Sequence, residues 1–341
     1  MGQRKTVKLE DIAKKVGVSI VTVSNALNGK KGVGKVLCED IQKTAEEMGY
    51  FSSERDRKKK RSTYIIGVVV AERYVKEFPS FYMDIYKRIA QEAVKKGNLT
   101  VLEIVSPEKE NLKIDFAPFL EGEMAGLILI GELKKEYIEA IRMSYQIPIV
   151  CVDYYDVYAD MDYIITDGFG GMEQMTEILL EQGYYDLVFI GTPSATKNIM
   201  DRYMGYCKAL EKAGLKDAQN KVIHDRDFMN GDYRIGFELP DKLPEGFVCN
   251  CDKAAGILLE KLEERGIRVP EDVSIVSFDN YYAQKNNETK LTTYENNEKV
   301  IAKISMNTLL KRISSKKRAA GVRIIGGSVV EGNTVRIRRE A

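Results

Sequence analysis

Apolar positions in the first fifty residues recur with helical spacing. Leu9, Ile12, Ala13 and Val16 fall at i, i+3, i+4 and i+7, one inward face of about two turns. Gly17 can take a positive φ, where a helix commonly ends. Ser19 suits the N-cap of a second helix, whose Val23, Ala26 and Leu27 pack back on the first. Helices this short are not stable alone. A third over residues 36–48, with Ile41, Ala45 and Met48 inward, completes a helix-turn-helix unit.

Residues 51–62, FSSERDRKKKRS, are polar throughout and read as a solvated tether. From Tyr64 onward short apolar strands alternate with amphipathic helices. Strands are predicted over 65–71, 100–105, 126–131 and 148–153, with helices over 81–96, 108–120 and 135–143 between them. A second series starts near Tyr163, with strands over 163–166, 187–191, 246–250 and 273–278 and helices over 170–182, 200–213 and 252–265. Such alternation implies parallel sheets covered by helices on both faces. Two series of similar size predict two lobes, with a ligand cleft at the carboxyl ends of their strands.

Residues 11–28 read DIAxxxGVSxxTVSxxLN, and Met48, Gly49 and Tyr50 close the third helix. This run resembles the DNA-binding headpiece of the lactose-repressor (LacI/GalR) family of bacterial transcription regulators. Looser motifs extend the resemblance: Asp167 with Gly170, RYMGYCKAL at 202–210, NCDKAAG at 250–256, GIRVPEDVSIVSFDN at 266–280 and LTTY at 291–294. It implies an all-α headpiece over 1–50, a basic hinge over 51–63, and a periplasmic-binding-protein-like (type I) α/β effector and dimerisation domain over 64–341. The chain is then expected to cross between lobes near Thr166, Thr289 and Arg323. The first lobe would hold 64–165 and 290–322, with a helix at 300–311, and the second 166–289 and 323–341. The function implied is sequence-specific transcriptional repression by a homodimer on a near-palindromic operator in double-stranded DNA. A small-molecule effector between the lobes, a carbohydrate by family default, would control it allosterically, and no cofactor is needed.

Several positions depart from the family pattern. Lys8 and Gly34 stand where Ser or Thr caps are usual, and each lost cap costs about 0.5–2 kcal/mol. The headpiece is therefore expected to be marginally stable off DNA. Cys38 replaces an Arg. Lys58 or Lys59 falls where the family wedges a Leu into the minor groove, and a lysine cannot act as an apolar wedge. The hinge is predicted to grip electrostatically, with the i,i+4 pairs Glu54 with Lys58 and Asp56 with Lys60 favouring a helix. In the second lobe Cys251, Asn280 and Gly332 replace the usual Asp, Asp and Arg, so its pocket is expected to be remodelled.

Carried onto this chain, the resemblance makes the second helix the reader of the major groove. Asn25 can pair bidentately with adenine, and Ile20 or Val21 can meet a thymine methyl; core packing is the rival reading for the last two. Ser19, Thr22, Ser24 and Asn28 would donate to phosphates, with Lys58 and Lys59 adding charge. For the effector, Arg202 and Asp279 lead, since a guanidinium fork with a carboxylate suits vicinal hydroxyls. An interlobe salt bridge is the alternative for Arg202. Asp153 and Asn250 lie at strand ends, and Tyr74, Phe81, Tyr154 and Tyr282 could stack on a sugar ring or simply pack.

Charge sharpens the division. Residues 1–61 hold 15 Lys or Arg against 8 Asp or Glu, whereas the remainder holds 37 against 43, so only the N-terminal unit carries a polyanion binder's footprint. Five scattered cysteines are consistent with reduced thiols, and Cys249 with Cys251 lacks a second ligand pair for a metal. The single histidine, His224, and the lack of any GxSxG, Walker or zinc motif argue against an enzyme. No run approaches the roughly 18 apolar residues that span a membrane, and nothing apolar follows the charged MGQRKTVKLED, so a cytoplasmic protein is expected. The closing EGNTVRIRREA carries no apolar heptad, which favours a dimer over a tetramer. Three rivals stay open: a purine effector, an effector domain that acts as a ligand-free scaffold, and, more remotely, a solute-binding protein.

Overall fold

The computed structural model describes residues 7–27, 32–50, 63–76, 80–112, 124–156, 158, 160–215, 221–227, 237–281, 289–315 and 319–338. They fall into two compact units, 1–63 and 64–341.

In the first unit, α1 (Leu9–Val16), α2 (Ile20–Leu27) and α3 (Lys35–Glu47) enclose Ile12, Ala13, Val23, Ala26, Leu27, Ile41 and Ala45. Gly17 ends α1 at φ 78°, its N–H bonded to the Ala13 carbonyl. Lys8 has no side-chain acceptor to cap α1, yet that end is not bare. The Asp11 carboxylate reaches back and accepts from the Lys8 N–H at 2.8 Å, one arm of a capping box. The expected loss at this cap is thus partly made good, whereas Gly34 gives α3 no side-chain cap.

The second unit contains two six-stranded sheets. The first runs β2 (Leu99–Val105), β1 (Ile65–Ala71), β3 (Met124–Ile130), β4 (Ile149–Val152), β5 (Asp162–Thr166) and β11 (Val322–Ile325), every neighbouring pair parallel. Its inner strands β1, β3, β4 and β5 are buried on both faces, as a doubly covered parallel sheet requires, and the edge strands β2 and β11 are partly exposed. In β1, Ile66, Val68 and Val70 meet α4 (Phe81–Lys95) and α10 (Glu298–Ser314), while Val69 and Ala71 turn to α6 (Lys135–Ser144). A short α5 (Pro107–Leu112) follows β2; the rest of the helix predicted to 120 lies outside the described residues.

The second sheet runs β7 (Val222–Ile223), β6 (Leu187–Ile190), β8 (Gly246–Cys249), β9 (Ser274–Asp279), β10 (Thr292–Glu295) and β12 (Ser328–Val330), parallel except where β12 meets β10. One face is covered by α9 (Asp252–Glu264), the other by α7 (Gly168–Glu181) and α8 (Lys197–Lys212). The last two pack closely: a Cβ on Gly205 would meet the Phe169 carbonyl oxygen and come within 2.9 Å of the Glu173 nitrogen. Helix α8 starts three residues earlier than its apolar spacing predicts, because Thr196 caps it through the Ile199 N–H.

Two expected lobe limits shift. Residues 292–295 pair with β9, so this crossing follows Glu295 rather than Thr289. Residues 322–325 continue the first sheet beside β5, and β12 begins the second at Ser328, which moves the last crossing from Arg323 to the Gly326–Gly327 pair. Hydrogen-bonded sheet edges decide both, and apolar periodicity does not register them. Among the described residues no helix is long and apolar enough to cross a membrane.

Candidate functional site

In the headpiece the core is complete without the first residues of α2. Ile20 is 45% and Val21 68% exposed, while Val23, Ala26 and Leu27 fill the interior. The core-packing reading of Ile20 and Val21 therefore does not hold. Ser19 caps α2, accepting the Thr22 N–H at 3.0 Å, and the two hydroxyls lie 2.8 Å apart. The turn of helix that offers Ile20 and Val21 to solvent is thus fixed by its own cap. Thr22, Ser24 and Asn25 are half-buried. Asn28, Lys58 and Lys59 lie outside the described residues.

In the second unit, strand ends from both lobes converge on one guanidinium. Arg202, on α8, is buried; its Nη1 donates to the Asn250 carbonyl at 2.6 Å and its Nη2 to Asp279 Oδ1 at 2.9 Å. The guanidinium carbon sits 4.0 Å from the centre of the Phe278 ring. Asn296 Nδ2 also donates to Asp279 Oδ1, at 2.9 Å. Asp153, immediately after β4, accepts the Tyr82 hydroxyl on Oδ2 at 3.0 Å. Asp153, Asp279 and Asn280 all have positive φ, at 58°, 107° and 50°. Side chains there cost of order 1–3 kcal/mol each and tend to cluster at functional sites. Burial pushes the Asp153 carboxyl up to about 6, against the pull of Arg202 and with a further push from Asp279. Burial likewise raises Asp279, opposed mainly by Arg202.

Adjoining this group, Asp252 accepts from the Ser277 and Thr293 hydroxyls and from the Tyr281 N–H, and burial lifts it to about 6. Asn250 has its side chain committed to the scaffold. Its amide donates to Asp225 at 2.8 Å and to the Ile190 carbonyl at 3.0 Å, and its oxygen accepts from Arg226 at 3.2 Å. Asp225 is buried, which raises it, but the Arg226 pair holds it below the usual carboxylate range.

The aromatic candidates separate. Tyr74 and Tyr82 rings lie 4.5 Å apart, and Gly131 is required beside them, since a Cβ there would come within 2.7 Å of the Tyr74 ring. Phe81 meets Tyr82 and Tyr281 edge-on at 5.4 and 5.6 Å. Tyr154 is a correction: it is 3% exposed, packed with Leu133, Tyr137 and Met161 and edge-on to Tyr163. It is core, and its neighbour Tyr155 is the one that faces the other lobe. Tyr282 lies outside the described residues. Sequence reasoning missed Tyr82, Tyr281, Asn296 and the Asp225–Arg226 pair. The tyrosine in FYMD beside Phe81 was the only signal within reach.

Side-chain hydrogen bonds join the lobes around the cluster. Asn198 Nδ2 donates to the Asp153 carbonyl at 2.7 Å, Tyr155 Oη to Asp201 at 3.0 Å, Lys197 to Asp156 at 2.9 Å, and Tyr281 Oη to Asp84 at 2.7 Å. His224 is exposed, and Cys249 and Cys251 are buried with thiols that burial pushes upward. No metal-competent group of side chains occurs among the described residues.

A model of bacterial regulatory proteins of the lacI family matches residues 8–53, and one of a periplasmic binding protein-like domain matches 176–335. The HTH-type transcriptional repressor PurR of Glaesserella parasuis is 25% identical over 89% of each chain. Two solved structures share the fold: a transcriptional regulator CelR–cellobiose complex (TM-score 0.68, 22% identity, 96% of this chain and 99% of that one) and a lac repressor dimer bound to operator and the anti-inducer ONPF (0.66, 20%, 97% and 99%).

Proposed function

Because the chain belongs to the lacI family of bacterial regulatory proteins and is a DNA-binding transcriptional repressor rather than an enzyme, we propose that α2 reads a near-palindromic operator in the major groove and that a small molecule held by the Arg202 cluster controls this binding. The observation that carries the first half is the exposure of Ile20 and Val21 at the capped start of α2. Two β-branched apolar residues facing water on a finished core are suited to thymine methyls, with Asn25 reading adenine. Ser19, Thr22, Ser24 and Asn28 position the helix on phosphates, and Lys58 and Lys59 add a salt-sensitive grip from the hinge.

The second half rests on the Arg202–Asp279 pair at the carboxyl end of β9 in one lobe, with Asp153 at the carboxyl end of β4 in the other within electrostatic reach, where α/β sheets take ligands. Arg202, Asp279 and Asp153 hold the ligand, Tyr74, Phe81 and Tyr82 wall it, and Asn250 acts through Asp225 and Arg226. A carbohydrate is the favoured class, supported by the cellobiose in the CelR neighbour. A purine, or no ligand at all, is the competing reading. Two copies act together, each headpiece on one half-site; exposed Leu99, Val101 and Ile104 on edge strand β2 support a homodimer. The protein works in the cytoplasm, where its operator lies.

Selection of operators from random DNA by the full-length protein, with and without a metabolite pool, tests this reading. Enrichment of a palindrome that the pool strengthens or weakens is expected. Enrichment of no palindrome under either condition overturns it.

A further inference from the structure

Beyond the assignment of an effector site, and resting on it, the polar atoms around Arg202 specify what kind of molecule fits. Among the described residues five buried side-chain atoms lack a hydrogen-bond partner, and three of them belong to this one cluster: Asp153 Oδ1, Asn296 Oδ1 and Arg202 Nε. Their residues are 4%, 5% and 6% exposed. Two of the three are acceptors, so an occupant must bring more donors than acceptors to this end of the site.

Charge points the same way. Asp153, Asp225 and Asp252 are buried here and Asp279 is half-buried, against two guanidiniums, Arg202 and Arg226. Arg226 is paired with Asp225 and Arg202 with Asp279. Asp153 is bonded to the Tyr82 hydroxyl, with the Thr166 side chain also favouring its charged form, rather than to a guanidinium, and Asp252 to hydroxyls and one backbone N–H. An anionic ligand would add to an existing excess of negative charge in a dry setting, where repulsion is strong.

We infer that the effector is an amine-bearing polyol, an amino sugar or a compound of that chemistry, whose ammonium group lies on Asp153 Oδ1 and whose hydroxyls or N–H groups meet Asn296 Oδ1 and Asp279. The ammonium gives Asp153 a hydrogen-bonded cation, which Arg202 acting only at a distance does not, and a ring or ether oxygen accepts from Arg202 Nε. Burial that raises the Asp153 carboxyl is relieved when a cation sits on it. Phosphorylated and carboxylated sugars are excluded by the same charges.

The test is thermal unfolding of the full-length protein against matched sets: glucose, galactose and mannose, each as the neutral sugar, the 2-amino sugar and the 6-phosphate, with hypoxanthine and guanine alongside. In at least one set the amino form is expected to act at about tenfold lower concentration than its neutral parent, as a charge-assisted bond implies. The 6-phosphate is expected to give no shift. Asp153→Asn should bring the amino form and its neutral parent to the same midpoint concentration, whatever it does to the affinity of both. A neutral, phosphorylated or purine ligand that outranks every amino form overturns the inference but leaves the effector site standing. No shift from any compound overturns both. The wild-type ranking decides the matter even if the variant does not fold.

Discussion

Replacing Asp153 by Asn isolates the cost of holding a charge in the cluster. The carboxyl is raised from an ordinary 3.8 to about 6, mainly by burial. That difference corresponds to about 3 kcal/mol of folding free energy forgone when the group is ionised. The sign follows from proton binding: between these two values the folded state holds a proton that the unfolded chain has released. Stability from this group is therefore full at low pH and is lost as pH rises through about 6. Asparagine keeps an acceptor for the Tyr82 hydroxyl and tolerates the φ of 58°, but it buries an amide N–H that can cost about 1–3 kcal/mol of its own. Absolute stability thus mixes two effects, whereas the pH dependence reports the charge alone. Urea unfolding of the full chain at pH 5, 6 and 7, followed by tyrosine fluorescence since the chain has no Trp, measures it. Relative to the variant, the wild type should lose about 1 kcal/mol between pH 5 and pH 7. Carboxylates held low, such as Asp272 at about 2, titrate below this window. A wild-type-minus-variant difference that stays constant from pH 5 to 7 would refute the assignment of a buried carboxyl at Asp153 whose desolvation outweighs the pull of Arg202.

Three further outcomes are expected. Val21→Ala should leave headpiece stability within about 0.5 kcal/mol, since the side chain is exposed, while weakening the selected operator by about 1 kcal/mol; titration against the operator and a site with the facing thymine replaced by uracil checks both. Gly205→Ala forces α7 and α8 apart and should destabilise the effector domain by about 1–3 kcal/mol in urea, with an unchanged midpoint contradicting the close approach. Changing Lys58, Lys59 and Lys60 together to Ala should flatten the slope of log affinity against log salt by about 1 for each phosphate no longer neutralised. A slope that does not move would remove the electrostatic grip from the hinge.

Much of this architecture is legible in the sequence because it depends on periodicity. The continuous apolar run at Ile65–Ala71 announces a strand buried on both faces, and the spacing of Leu9, Ile12, Ala13 and Val16 announces α1. Arg202 and Asp279, 77 positions apart, come together because one lies on a helix over the sheet and the other at a strand's carboxyl end. What stayed hidden depends on loop geometry. Tyr154 and Tyr155 are adjacent and alike, yet one enters the core and the other bonds across to Asp201. Tyr281 crosses to Asp84 by the turn after β9, which no spacing rule foresees. The strands at Thr292–Glu295 and Val322–Ile325 are four residues each, and their composition does not state which sheet they complete. The Asp11 reach-back to Lys8 shows how a missing cap residue can be replaced by the acid three positions later.

Regulation by this protein requires that ligand binding at the Arg202 cluster and operator binding by α2 be energetically coupled. Coupling is read from the affinity of the full-length protein for its selected operator at fixed salt, with and without a ligand that stabilises the effector domain. A coupling of about 1–3 kcal/mol, a change of roughly 5- to 150-fold in either direction, is expected, and Arg202→Met should abolish it. An operator affinity that stays the same while the ligand is demonstrably bound would show that the cluster does not control the headpiece.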